Sequence, residues 1–160
     1  MGERSRLAGA ARGRTAGLGL ARGPGEAPLI AVDTSVLIDV IRRVDSPAAR
    51  AFIRLAASER IVVGDIVLLE ALQGASSEDR ARSIERWLRS FDIAAMLDDA
   101  LAVQGAAHYR RLRALGITPR RTPDLIIATW CIAHAVPLLQ SDRDFAAMAK
   151  PLGLQLVVVT

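Results

Sequence analysis

A chain of 160 residues with 51% apolar and 24% charged side chains is long enough to bury a proper core in one domain and too apolar to be a disordered polymer. Aromatic residues are only 4% (three Phe, two Trp and one Tyr), so the core is aliphatic, which argues against a single-strand binder built on stacked rings. The formal charge of +4 is uneven: residues 1–27 hold five Arg against two Glu, whereas residues 28–160 hold 16 basic and 15 acidic side chains, so a pI of about 10.5 does not describe a basic domain.

Residues 1–27 are rich in Gly, Ala and Arg and have no apolar period, which predicts a disordered tail. They lack the apolar h-region of a secretory signal. An Arg-rich, acid-poor leader can also mimic a transit peptide, arise from an upstream start codon, or add salt-sensitive affinity for nucleic acid. The lone Cys131 forms no internal disulfide and is compatible with a reducing cytosol, so the expected location is cytoplasmic. No apolar run approaches the roughly 18 residues of a membrane span.

The domain is expected over residues 28–160. Leu29–Val32 is an apolar run of strand length, followed by Asp33, two hydroxyl residues and an apolar run with helical spacing. This reads as strand, turn, helix, with Thr34 or Ser35 as the cap. Ser46-Pro47 opens a helix to about Ser58. Ile61–Val63 is a second buried strand, and Asp65 caps a helix through about Gln73, stopped by Gly74. Ser76 with Asp79 resembles a capping box and opens a helix to about Arg89. Phe91–Ile93 reads as a third strand, and a long helix runs from about Asp98 to Leu115. Thr122-Pro123 starts another helix, apolar almost all round over Leu125–Ala135 and therefore buried. Pro137–Gln140 is a fourth strand, a short helix lies near Phe145, and Leu154–Val159 is a last strand. Strands alternating with helices predict an α/β fold of three layers, α/β/α, around a parallel sheet.

Four acids stand out. Asp33 and Asp142 leave the ends of strands, where ligands bind in open α/β sheets. Glu70 projects between Ile66 and Val67, and a carboxylate so placed is usually paired or metal-bound when buried. Asp124 lies in the first turn of the most apolar helix. Each has a plainer reading: a helix cap for Asp33 and Asp142, a helix edge open to water for Glu70, a complement to the helix dipole for Asp124. Converging carboxylates, however, raise one another's pKa or demand a cation. Oxygen ligands without His or Cys point to Mg2+ or Mn2+, which suits phosphodiester hydrolysis. His108 and His134 show no ligand spacing, Cys131 has no base at hand, and there is no glycine-rich phosphate loop.

Asp33-Thr34-Ser35-Val36-Leu37-Ile38-Asp39, Glu70, Asp124-Leu125-Ile126-Ile127-Ala128 and Leu138-Leu139-Gln140-Ser141-Asp142-Arg143-Asp144-Phe145 together resemble the PIN-domain family, most closely its VapC branch of ribonuclease toxins from type II toxin–antitoxin pairs. The resemblance implies metal-binding catalytic acids at Asp33, Glu70, Asp124 and Asp142, with Asp144 as an accessory and Thr34 or Ser35 orienting the pocket. It implies Mg2+ or Mn2+, an RNA substrate such as tRNA, a small antitoxin, a homodimer, and no membrane association. The family usually has Thr two residues before the fourth acid, where this chain has Gln140; Ser141 is a candidate substitute. Arg42, Arg43, Arg120, Arg121 and Arg143 fall near the expected rim as candidate phosphate contacts or as plain surface residues.

Two other classes compete with the ribonuclease. An aspartyl phosphatase also starts on a strand-end Asp, but wants a second acid two residues on, where Ser35 stands. An inactive PIN-type module for binding RNA or protein is the other. Because the first 27 residues carry no apolar period, their deletion is expected to leave folding intact. A thermal melt of the truncated chain checks this, and loss of its cooperative transition would show that the segment belongs to the fold.

Overall fold

The computed structural model describes residues 27–159, so the tail expected over residues 1–27 lies, but for Ala27, outside the described residues. Four strands form one parallel sheet: β1 (Leu29–Val32), β2 (Arg60–Gly64), β3 (Asp92–Ala94) and β4 (Leu138–Leu139), in the order β3-β2-β1-β4. β1 is central and fully buried, pairing Leu29 to Arg60 through Val32 to Val63 on one side and Val32 to Leu139 on the other. A strand covered on both faces has no reason to alternate polar and apolar residues, which is why it reads as an unbroken apolar run.

Among the described residues, seven helices flank the sheet: α1 (Thr34–Arg42), α2 (Pro47–Leu55), α3 (Asp65–Gln73), α4 (Glu78–Leu88), α5 (Asp99–Ala114), α6 (Thr122–His134) and α7 (Arg143–Leu152). The expected three-layer α/β/α architecture is the one observed. From β1 the chain moves outward through β2 to β3, then crosses back beyond β1 to β4. The strand order therefore reverses between β1 and β4, and the crevice of such a sheet opens at that point.

Several boundaries differ from expectation for identifiable reasons. The last strand is reduced to a single bridge between Leu156 and Leu138, because β4 offers only two residues to pair with, and Val158 is 83% exposed. Asp33 itself caps α1, in place of Thr34 or Ser35. Ser77 rather than Ser76 caps α4, accepting from the Arg80 amide at 3.2 Å. Asp65 is the first residue of α3, not its cap, and its Oδ1 accepts from the Met96 amide at 3.1 Å, tying the segment after β3 to the start of α3. Thr122 lies inside α6, whose cap is Arg121 with no capping side chain. The helix near Phe145 runs to ten residues and closes on Gly153 at φ 74, a left-handed position that suits glycine.

The core is largely aliphatic, with Leu37, Leu138, Leu139, Met96, Met148 and Phe145 among its fully buried side chains. One aromatic cluster joins α2 to α4: Phe52, Trp87 and Phe91 pack edge to face at centroid distances of 5.6–6.0 Å. At the end of β2, a Cβ added to Gly64 would run into the thioether of buried Met96. Gly64→Ala is therefore expected to destabilise the fold by about 1–3 kcal/mol, the usual cost of overpacking. Urea denaturation measures it, and an unchanged midpoint would show that Met96 repacks freely.

Candidate functional site

Asp33 follows β1 in an extended conformation (φ −83°, ψ 156°) that turns its side chain over the first turn of α1. Its Oδ2 accepts from the Ser35 amide at 2.9 Å and from Ser35 Oγ at 2.5 Å. Ser35 Oγ in turn accepts from the Ser141 amide at 3.3 Å, and the Asp33 amide donates to the Leu139 carbonyl at 2.9 Å. The ends of β1 and β4 are thus stitched together across the reversal in strand order. Asp33 is only 4% exposed; burial raises its pKa, the Ser35 bonds pull it down, and the charge of Glu70 pushes it up again.

Glu70 comes from the middle of α3, and its side chain is 11% exposed. Oε2 accepts from Thr34 Oγ1 at 2.6 Å, and Oε1 is held by Arg121. The helix edge open to water is thereby excluded, and the pairing expected of a carboxylate among apolar neighbours is present. Thr34, itself buried, is the hydroxyl that links α1 to α3.

Asp124 sits at the third position of α6 and is 2% exposed. Burial is the main cause that lifts its pKa to about 7; the charges of Asp33, Asp142 and Glu70 add to it, and Arg121 opposes them. Its Oδ2 is buried without a hydrogen-bond partner. A helix dipole accounts for an acid in this turn but not for a buried oxygen left unsatisfied.

Asp142 caps α7, its Oδ1 accepting from the Asp144 amide at 2.9 Å. Arg120 Nη2 stands 3.8 Å from that oxygen and forks onto Asp144 with bonds of 2.8–3.2 Å. This fork holds the Asp144 carboxyl below the usual carboxylate range.

The four acids come from four separate elements and lie within reach of one another's charge. Their donor set is hard oxygen throughout, and the unsatisfied Asp124 Oδ2 fits a divalent cation such as Mg2+ or Mn2+. Among the described residues, though, no three His, Cys, Asp or Glu side chains already stand as a cage for a metal ion. Glu70 is engaged by Arg121, and Asp33 and Asp142 are occupied as caps. The sequence singled out Arg120 and Arg121 only as rim residues. Their ion pairs with Asp144 and Glu70 went unread, because a partner 24 or 51 residues away leaves no local pattern.

The other residues weighed for chemistry stand apart from this set. His108 bonds Thr129 Oγ1 at 3.1 Å, and His134 bonds the Trp130 carbonyl at 2.8 Å. Cys131 is buried, which pushes its thiol pKa far up and leaves it unreactive. Gln140, in place of the expected Thr, has its Oε1 buried without a partner. Ser141 meets the site through its backbone amide, not its hydroxyl.

A parallel α/β domain with acids gathered where its strand order reverses is the class that fold and site define. The chain belongs to the PIN domain family, whose model matches residues 30–151. Its fold is similar to that of solved chains from toxin–antitoxin complexes. One is from VapBC2 of Rickettsia felis bound to a DNA fragment from their promoter: TM-score 0.65 and 18% identity, covering 81% of this chain and 97% of that one. Another is from a toxin–antitoxin complex of Klebsiella pneumoniae: TM-score 0.60 and 22% identity, covering 81% and 96%. A third is from VapBC-5 of Mycobacterium tuberculosis: TM-score 0.58 and 22% identity, covering 82% and 98%.

The raised pKa of Asp124 has a consequence for stability. Between the ordinary value of 3.8 and about 7, the unfolded chain loses this proton while the folded one keeps it. Stability is therefore greatest at low pH and falls across that window. In metal-free buffer, Asp124→Asn is expected to melt several degrees above the parent at pH 8 and with a smaller advantage at pH 5. Melting curves at both pH values check this, and an offset that does not change with pH would remove the charge argument.

Proposed function

We propose that this protein is a metal-dependent endoribonuclease, the toxin of a type II toxin–antitoxin pair. The observation that carries the reading is the buried, unsatisfied carboxylate of Asp124 in the field of Asp33, Glu70 and Asp142. The kinship of fold with chains from toxin–antitoxin complexes supports the biological setting.

Asp33, Glu70, Asp124 and Asp142 are the residues that would hold Mg2+ or Mn2+. When bound, such an ion lowers the pKa of an attacking water and offsets charge on the phosphate. The chain's own part is placement. Ser35 fixes the Asp33 carboxylate through two donors, and Thr34 fixes Glu70. Asp144 holds Arg120 beside Asp142, so that a guanidinium faces the rim where an RNA phosphate has to approach a pocket of like charge. The exposed Val103 and Leu97, on and just before α5, suit an apolar interface with a small antitoxin or a second copy in a homodimer.

Purified protein is expected to cleave structured RNA such as tRNA only with Mg2+ or Mn2+, and Asp33→Asn or Asp124→Asn to abolish cleavage. Gel assays with and without EDTA test this. Undiminished cleavage in excess chelator would sink the metal mechanism, and absence of cleavage with metal and intact acids would favour the inactive binding module.

A further inference from the structure

Arg121 occupies an unusual place for a rim arginine. Both oxygens of Glu70 are engaged: Oε2 by the Thr34 hydroxyl and Oε1 by the Arg121 guanidinium. The other acids differ. Asp33 and Asp142 accept from neutral donors, Arg120 stands 3.8 Å from Asp142, and Asp124 Oδ2 has no partner. Glu70 is thus the member of the four that a guanidinium holds by a direct hydrogen bond, the Arg120–Asp142 pair being longer at 3.8 Å.

Resting on the metal-dependent reading above, we infer that Arg121 is a built-in latch on the pocket, an internal cation that a divalent ion must displace from Glu70. A hard divalent ion takes a carboxylate oxygen at about 2.0–2.1 Å. A guanidinium on the same oxygen opposes it by charge and by crowding.

The latch is presented by its neighbours. Arg120, the preceding residue, forks onto Asp144 at the start of α7 and so pins the end of the connection between α5 and α6. That connection begins at Gly116 with φ +77°, a position nearly reserved for glycine. Arg121 itself is extended (φ −130°, ψ 128°) as the cap of α6, three residues before Asp124. Its side chain is 53% exposed, so it has open solvent to swing into, and ion pairs with an exposed partner are held weakly. The latch is therefore reversible.

Its effect follows from population arithmetic. If binding requires the open state, apparent affinity falls by the fraction of time the latch is open. A pair closed nine-tenths of the time weakens cation binding by about tenfold.

The experiment is titration of the full chain with Mn2+ alone, without RNA, by calorimetry and by thermal shift. Arg121→Gln is expected to bind Mn2+ about tenfold more tightly than the parent. Arg121→Lys keeps a charge without the fork and is expected to fall between. Arg120→Gln frees the connection without touching Glu70 and is expected to tighten binding by a smaller factor. It keeps the test decisive if Arg121→Gln fails to melt cooperatively. Mn2+ binding that is unchanged or weaker in these variants overturns the latch and leaves the metal pocket standing. Absence of Mn2+ binding in parent and variants alike overturns the pocket itself, and the latch with it.

Discussion

The structure turns on carboxylates buried beyond the C-terminal ends of the central strands. An ionised carboxylate removed from water is costly unless something compensates it. Asp33 and Asp124 are 4% and 2% exposed, and each feels the charge of other acids. The surrounding chemistry reads as a set of compensations. Ser35 gives Asp33 two donors, Thr34 gives Glu70 one, and the Asp144 amide gives Asp142 one. Arg121 supplies a full charge to Glu70, and Arg120 supplies one to Asp144. Asp124 Oδ2 is buried without a partner, and burial together with the charges of the other three acids raises its pKa.

The topology explains why these groups meet. Asp33 is carried by β1 and Asp142 by the segment after β4, and these strands are neighbours although 106 residues separate Ser35 from Ser141. Glu70 arrives from α3, which packs on both α1 and α6. Asp124 arrives in the first turn of α6, a helix that packs on α3, α5 and α7. None of the four contributes to the aliphatic core, yet each is placed by an element that does. A site built this way is as rigid as the core that positions it, a property expected of pre-organised chemistry.

How much of this was legible in the sequence depends on the range of the interaction. The alternation of strands and helices was readable because apolar runs and caps are local patterns. Leu29–Val32, the Ser46-Pro47 start and the start of the long helix at about Asp98 all fall where expected. The last strand over Leu154–Val159 was misread because strand length is set by the partner, and β4 is two residues long. The α4 cap slipped by one residue because Ser76 and Ser77 offer the same hydroxyl, and only the backbone turn decides between them. The acids were readable as candidates from their places at strand ends and among apolar neighbours. Their partners were not: Thr34 with Glu70 and Arg121 with Glu70 are contacts across 36 and 51 residues, and no periodicity records them.

Two kinds of positive charge meet these carboxylates, a proton on Asp124 and a guanidinium on Glu70, and the divalent cation proposed above would be a third. They are not equivalent. The proton is held at Asp124, where burial and three neighbouring acids penalise the ionised form and Arg121 opposes them. The guanidinium binds where the pocket opens, because its own charge has to remain hydrated, and Arg121 stays half exposed while Glu70 is nearly covered. On the metal-dependent reading proposed above, a divalent cation engaging both acids would have to displace the proton from Asp124 and the guanidinium from Glu70. Both couplings would run in one direction. Raising the pH removes the first competitor without touching the second, because a guanidinium keeps its proton across the whole range in which a carboxyl titrates. On that reading, the arginine would set the part of the cation affinity that pH cannot reach.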